Sequence, residues 1–502
     1  MAENIILDTI NSMSVSEKLL FRRAYTGKKV PAFIVLYDEI IKAGAYDELI
    51  IKKKLESIIP ENTFTYTKHI LLNKIHEAMA IHLKENDEEL NLLYQLMIIR
   101  ALRIKGRINQ AVKIWKKSFF KAKEQEYFSI MLLLLDEYIR IELFNSTTST
   151  IQDINETVKI SKPLLASYER IVQLQSLYMI AINIRRKSNI VFTETEKNEL
   201  VNINNTLDKI YSKEDTDQTH SNFYLMTKAT IYYLQGNFEK AFTFLEENIL
   251  IWQANAKNIA ADVEYYLDAL FLFSDVGILL KRFDAVTEAI EHSCNTYLTG
   301  DYAKNNFEVI KFRNYNRIYN KLAQYQQVQL LITESESKLD SWLKFVNNET
   351  KTVLLTSFCI AAFVLKKYND AIYYAKQMQQ SFVKATRQEY QTFTYLFVLS
   401  ICYESKNAVL FESQYRNAYT HFYRHKNPLL FEKKILQVLY TTYKNRHSLI
   451  ARKKMEKLLE ELNRNNNDSS QQLIFNMFNF PLWIQSIIEK KDYVEKVKEM
   501  IG

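Results

Sequence analysis

A short phrase recurs along the chain, and its spacing constrains the fold more than any other feature. In the clearest copy, the turn residue Gly236 precedes the anchor Phe238, and the small residue Ala241 follows three positions later. Including this copy, the phrase occurs eight times. Its anchor is aromatic or aliphatic in seven copies and the small residue alanine in the last: Ile108, Ile151, Phe192, Phe238, Phe283, Tyr325, Tyr368 and Ala408. Successive anchors lie 40 to 46 residues apart. A nearly constant period of this length is typical of stacked helical hairpins. We therefore expect an all-α chain.

The clearest copy also shows how each hairpin is built. Apolar residues recur at helical spacing over residues 223–234 and again over 238–252, with Gly236 between the two runs. The small side chains of Ala229 and Ala241 allow the two helices to approach closely. The pattern thus predicts two antiparallel helices joined by a tight turn.

This hairpin resembles the signature of tetratricopeptide repeats, a family of helical-repeat proteins. The resemblance rests on Gly236, Phe238 and Ala241, with Ala229 and Tyr232 upstream. It implies an α-solenoid of antiparallel hairpins whose first helices line a concave, peptide-binding groove.

A second copy, residues 367–371, carries the same resemblance, with Cys359 and Ala362 upstream, and the repeats extend over roughly three quarters of the chain. The period near 43 residues exceeds the usual length of about 34, and the closing proline is absent. HEAT-like hairpins of similar length remain an alternative.

The phase of the repeats divides the chain into three predicted segments. Residues 1–85 do not follow the phase and are expected to form a helical N-terminal cap domain. Residues 86–462 form the predicted solenoid, and 463–502 a polar loop followed by a C-terminal capping helix. A DNA-binding helix-turn-helix is the alternative for the first segment, but its 12 basic and 11 acidic side chains lack the expected positive bias.

Composition disfavours most enzyme folds. The chain has only 7 glycines and 5 prolines in 502 residues, whereas phosphate-binding loops and nucleophile elbows need glycine. No recognisable catalytic or nucleotide-binding motif is present, and His421 and His425 lack a third metal ligand nearby in sequence. We expect no catalytic residue, no metal site and no cofactor. With no signal segment or long apolar run, the expected location is cytoplasmic, without a membrane span.

One predicted hairpin carries the excess of positive charge. Between positions 100 and 123 there are nine basic residues and no acidic one: Arg100, Arg103, Lys105, Arg107, Lys113, Lys116, Lys117, Lys121 and Lys123. The whole chain has 66 basic and 58 acidic residues, so the remainder is nearly neutral. Such a patch attracts acidic protein segments or nucleic acid. Arg100, Arg103, Arg107, Lys113 and Lys117 are therefore candidate partner-binding residues. The alternative is a solvated helix face paired with acidic neighbours.

A second candidate site lies on a predicted first helix, which would face the groove. Arg313, Arg317 and Lys321 are spaced four residues apart, with Asn316 and Asn320 beside them. By residue type and helix, they resemble the carboxylate clamps of tetratricopeptide arrays. The alternative is an exposed basic stripe.

These patterns predict a non-catalytic scaffold or adaptor that binds a protein or peptide, possibly through acidic segments. The alternative is a nucleic-acid-linked or peptide-sensing regulator that uses the basic hairpin 100–123 or the N-terminal helices. The oligomeric state is left open by the sequence.

Overall fold

The structure is a computed structural model that describes most of the chain. The described residues are 5–25, 30–44, 46–144, 151–187, 194–211, 218–254, 259, 262–294, 298, 301–382, 388–424, 430–443, 445, 448–464 and 469–501. They form helices and connecting turns, with no strand in these ranges. The all-α prediction is therefore confirmed.

The chain divides into two compact units, Met1–Tyr168 and Glu169–Gly502. This division lies within the ninth helix and does not coincide with the predicted segment boundaries near residues 85 and 462. Those boundaries, which describe the phase of the repeats, stay a prediction.

Among its described residues, the first unit contains eight helices and the beginning of a ninth. They are α1 Ile5–Ser12, α2 Val15–Ala24, α3 Ala32–Ala43, α4 Glu48–Leu55, α5 Glu61–Asn86, α6 Glu88–Ile104, α7 Ile108–Glu124, α8 Phe128–Phe144 and α9 Ile151–Lys187. Helices α1 to α5 enclose an apolar core that includes Phe21, Tyr37 and Phe64. A second core, around Ile99 and Leu134, joins α6, α7 and α8.

The second unit contains the rest of α9 and 17 further helices among the described residues. They are α10 Glu194–Ile210, α11 Gln218–Leu234, α12 Phe238–Ala254, α13 Val263–Leu279, α14 Phe283–Cys294, α15 Asp301–Lys321, α16 Tyr325–Glu336, α17 Leu339–Phe345, α18 Asn348–Val364, α19 Tyr368–Ser381, α20 Gln388–Glu404, α21 Ala408–Arg424, α22 Leu430–Tyr443, α23 Leu449–Arg464, α24 Ser469–Met477, α25 Phe480–Glu489 and α26 Tyr493–Ile501.

Helices in the second unit pack mainly against their neighbours in the chain. Helix α11 packs on α12 and α18 on α19, as expected for hairpins. The first helices of successive hairpins also contact one another, in the order α13, α15, α18, α20 and α22. This neighbour packing is consistent with a helical repeat.

The anchors of the repeated phrase are the first residues of helices. This holds for Ile108, Ile151, Phe238, Phe283, Tyr325, Tyr368 and Ala408. Phe192 lies outside the described residues. The residue three positions after the anchor is buried wherever α7, α12, α14, α16, α19 and α21 begin: Ala111, Ala241, Val286, Val328, Ala371 and Phe411. The phrase therefore predicted both the start of each of these helices and its buried face.

The turn before these anchors has a recurring backbone geometry. The residue two positions before the anchor has a positive φ at Gly106, Gly236, Lys281, Ala323, Lys366 and Lys406. The following amide closes the turn by donating to the carbonyl five residues earlier, as from Asn237 to Tyr232 at 2.9 Å and from Lys367 to Ala362 at 2.8 Å. Only two of the six residues are glycines, so the turn recurs where its usual sequence signal is missing.

Candidate binding cavity in the second unit

A cavity of about 530 Å³ lies in the second unit and brings the predicted groove residues together. Arg313, Arg317, Lys321, Asn316 and Asn320 all line it. They share helix α15, where their spacing of three to four residues places them along one face. The sequence thus identified residues that share one cavity, although whether they bind a partner stays a prediction.

Asp275 on helix α13 organises the two arginines. Its Oδ1 accepts hydrogen bonds from both Arg313 Nη2 and Arg317 Nη1. The Arg313 side chain is only 5% exposed, and its guanidinium lies over the ring of Phe271, 4.3 Å from the centroid. The alternative of an exposed basic stripe is therefore wrong for this residue. Arg313 is buried because a carboxylate and an aromatic ring replace its contacts with water.

The three charges influence one another strongly. Burial alone raises the pKa of Asp275, but the attraction of Arg313 and Arg317 outweighs it and lowers this pKa to about 2. Burial and the neighbouring Arg313 lower the pKa of Arg317. Asp275 is the only carboxylate among the described residues that line the cavity, and it is shared between two arginines. The cluster keeps a net positive charge.

Lys321 and Lys281 add further positive charge to the same cavity. Lys321 is the last residue of α15, and Lys281 lies in the turn between α13 and α14. Burial, followed by repulsion from Arg317 and Lys281, lowers the pKa of Lys321 to about 7. Within the described part of the chain, no carboxylate pairs with Lys321 to offset this effect. The amine is poised between its charged and neutral forms near neutral pH.

Two buried polar atoms of the cavity wall have no hydrogen-bond partner among the described residues. They are Asn320 Oδ1 and the hydroxyl of Tyr325. The amide nitrogen of Asn320 is satisfied, since it donates to the Asn316 carbonyl at 2.7 Å and to Asn316 Oδ1 at 2.9 Å. Asn316 in turn donates to the Ser357 carbonyl at 2.8 Å. Because buried polar atoms are rarely left unsatisfied, these two atoms mark positions where a polar ligand is expected to bind.

The C-terminal helices form another part of the cavity wall. Phe478, between α24 and α25, packs against Phe363 and Phe397, with ring centroids 5.3 and 4.8 Å apart. Trp483 is fully buried, and its Nε1 donates to Glu404 Oε1 at 2.8 Å. The predicted C-terminal cap therefore contacts helices α18 and α20.

A second cavity, of about 490 Å³, adjoins the first. The two share Leu279, Phe475, Asn476, Asn479 and Leu482 in their walls. Most of these shared residues belong to α24, α25 and the turn between them. The C-terminal segment therefore contributes to the walls of both cavities.

The basic patch of the first unit is partly neutralised. Arg100 and Arg103 both pair with Glu137 of helix α8, whose side chain is fully buried. Lys121 pairs with Glu88 of helix α6. For these three residues the structure therefore shows the alternative, pairing with acidic neighbours, and whether Arg100 and Arg103 also bind a partner stays a prediction.

Three candidates of the patch are exposed and remain to be considered. Lys113 and Lys117 lie on helix α7, and Arg107 immediately precedes it. Among the described residues they have no ion-pair partner within 4.0 Å. The charge available to a partner is therefore concentrated on α7.

In the described part of the chain, the cysteines, the histidines and the helix lengths give no evidence of a further site. Cys359 and Cys402 are buried, and burial raises the pKa of the Cys402 thiol to about 12, whereas Cys294 is exposed. His425 lies outside the described residues. No group of three or more potential metal ligands occurs in the described ranges. Every described helix is too short or too polar to cross a bilayer.

Comparison with known proteins gives no family assignment. No protein-family model matches the chain, and no curated protein matches it.

Proposed function

We propose that the second unit is a tetratricopeptide-like α-solenoid that binds the acidic end of a short peptide in its cavity, without catalysing a reaction. The repeated turn and the ordered contacts among α13, α15, α18, α20 and α22 support the solenoid. In such an array, first helices line the inner groove, which agrees with the cavity-lining position of the α15 residues.

The observation that carries the proposal is the imbalance of charge in the cavity wall. Arg313, Arg317 and Lys281 supply three positive charges against the single carboxylate of Asp275 among the described lining residues. Two charges therefore remain in excess before Lys321 is counted. An anionic group offsets such an excess through charge-assisted hydrogen bonds. A peptide carboxylate, or an acidic side chain near the end of the peptide, supplies that group.

The apolar part of the wall explains why a peptide suits the site better than an inorganic anion. Aliphatic and thioether side chains from helices α18 and α26 line the same cavity: Val353, Ile360, Val364, Val497, Met500 and Ile501. They offer apolar contact to aliphatic side chains of the peptide. The volume of about 530 Å³ is typical of pockets that enclose small ligands, about 300–1,000 Å³.

Matched peptides test this function. Short peptides with aliphatic side chains and a fluorescent N-terminal label are titrated in two forms, with a free C-terminal carboxylate and with a C-terminal amide. Because a hydrogen bond to a charged group contributes about 1.5–3 kcal/mol, amidation is expected to weaken binding about ten-fold or more.

Two variants test whether the preference for the carboxylate form depends on the cavity. Lys281→Met removes a cation of the cavity, whereas Lys304→Met removes an exposed lysine of α15 that does not line it. We expect only Lys281→Met to weaken binding of the carboxylate form. Equal affinity for both peptide forms, or no binding of either, would overturn the proposal.

A nucleic-acid-linked function is a second candidate because Arg107, Lys113 and Lys117 remain exposed. Binding of labelled duplex and single-stranded DNA at two salt concentrations tests it. Attraction to phosphates must weaken steeply with salt. Absence of salt-sensitive binding would exclude this function for the patch.

A further inference from the structure

Lys321 differs from an ordinary surface lysine in what surrounds its amine. Arg317 precedes it by one helical turn, Lys281 lies on the same cavity wall, and apolar residues make up much of the remaining wall. Among the described residues, no carboxylate forms an ion pair with it. Desolvation and nearby positive charge both favour the neutral amine over the ammonium ion, in agreement with the lowered pKa of Lys321, about 7.

A neutral amine in a cavity is a nucleophile. Lysines desolvated in a pocket, or placed beside another cation, form imines with carbonyl compounds at neutral pH, whereas exposed lysines are almost entirely protonated there. The Arg317 and Lys281 side chains would also attract a carbonyl compound that carries a negative charge. The nucleophile, Lys321, and the anion-binding groups, Arg317 and Lys281, therefore line the same cavity.

We propose that Lys321 is a covalent capture site for small anionic aldehydes and 2-oxo acids, which it binds as a reversible imine. Imine formation does not require the peptide of the proposed function, since it depends only on the amine and the charges of the cavity. The Asn320 Oδ1 and Tyr325 hydroxyl groups, both without partners in the described structure, are available to hold polar groups of the compound.

The step balances without an oxidant or a further reactant. The lone pair of the Lys321 nitrogen attacks the carbonyl carbon, and one amine proton passes to the carbonyl oxygen to give a carbinolamine. The oxygen then leaves as water with the second amine proton, and a carbon–nitrogen double bond replaces the carbon–oxygen double bond. Water reverses the sequence.

Pyridoxal 5′-phosphate tests the proposal because it joins an aldehyde to a phosphate, and pyridoxal is its matched form without the phosphate. The full-length protein is incubated with limiting probe at neutral pH, the imine is reduced with borohydride, and the labelled lysines are mapped by mass spectrometry. Exposed Lys304 on the same helix is the internal reference. Glyoxylate, with cyanoborohydride, serves as a smaller second probe.

With either probe, we expect Lys321 to be labelled faster than Lys304 by about ten-fold or more, because its lowered pKa leaves far more neutral amine at neutral pH. Pyridoxal is expected to label Lys321 less than its phosphate does. Lys321→Arg, which keeps a positive charge, is expected to lose this labelling while the labelling of Lys304 is unchanged.

Labelling of Lys321 no faster than Lys304 with both probes would overturn the proposal, as would equal labelling by pyridoxal and its phosphate. Failure of the peptide titration would leave the labelling result unaffected. The two proposals can therefore fail separately.

Discussion

Arg317 donates a hydrogen bond to the carboxylate of Asp275, which lies 42 residues earlier in the chain. This separation matches one period of the repeated phrase, whose anchors Phe283 and Tyr325 are also 42 residues apart. The ion pair therefore joins equivalent faces of the first helices in successive repeats, α13 and α15. It holds one edge of the candidate site in place. Asp275 therefore both joins the two helices and balances the charge of the arginines.

Removal of the Asp275 charge is expected to destabilise the second unit. Asp275→Asn leaves two guanidinium groups in a largely buried site without a counter-charge, which typically costs about 3–5 kcal/mol. Urea denaturation followed by circular dichroism measures the change. Asp275→Asn combined with Arg313→Met and Arg317→Met is expected to recover most of the loss. A single variant within about 1 kcal/mol of wild type would contradict this account.

The same pair predicts sensitivity to acid. Asp275 has a pKa of about 2 in the folded protein and about 3.9 when unfolded, so the unfolded chain binds the proton more readily. Its contribution to stability is therefore complete above pH 4 and lost as the pH falls toward 2. Between these pH values, the melting temperature of wild type should fall more than that of the triple variant. If the melting temperatures of the two proteins fell equally with pH, the ion pair of Asp275 with the arginines would not explain the sensitivity to acid.

Lys321 is expected to reduce stability at neutral pH. Its pKa is about 7 in the folded state, below the unfolded value of about 10.4, so the unfolded chain binds more protons between these pH values. Wild-type stability should therefore rise with pH across this window. Lys321→Met should be about 1–3 kcal/mol more stable than wild type at pH 7, with a smaller difference at pH 10. Lys304→Met is the control, and an equal gain in both variants would contradict the assigned environment.

The recurring turn predicts two stabilising substitutions. Ala323 and Lys406 have φ values of 54° and 57°, which cost side-chain-bearing residues about 1 kcal/mol relative to glycine. Ala323→Gly and Lys406→Gly should each raise the free energy of unfolding by about 0.5–1 kcal/mol. Gly236→Ala, at φ 73°, should lower it by a similar amount. Destabilisation by both glycine variants would show that these turns are not strained.

The sequence predicted the repeated elements well because their signal is local. Ile108, Phe238 and Tyr368 begin helices as their phrase indicated, and the residues three positions later are buried. The turn at Lys406 could be located only by its spacing from the others, because no glycine marks its positive φ. Local residue types and period were sufficient for this level of structure.

The network of charged residues could not be predicted from the sequence in the same way. Asp275 interrupts an apolar run, and its pairing with Arg317 depends on the register between two helices about one period apart. A search for opposite charges separated by one repeat period would have found the pair. Contacts of Phe478 with Phe363 and Phe397 have no such signal, because the C-terminal segment lies outside the phase of the repeats.

The C-terminal wall offers a further test of the cavity. Phe478 is 3% exposed and packs on three other phenylalanine rings, those of Phe363, Phe397 and Phe480, so Phe478→Ala is expected to cost about 3–5 kcal/mol. Phe478→Leu should cost less because it fills more of the space. Chemical denaturation of both variants checks this order. A negligible loss for Phe478→Ala would mean that the C-terminal helices do not close the cavity in solution.

A double-mutant cycle between protein and peptide tests the central claim most directly. The free energies of binding of the carboxylate and amide forms of one peptide are measured for wild type and Lys281→Met, with Lys304→Met as the control protein. If the anionic end of the peptide lies against the cavity cations, we expect a coupling energy of about 1 kcal/mol or more between Lys281 and the carboxylate. No coupling, or equal coupling to Lys304, would contradict binding of the acidic end in this cavity.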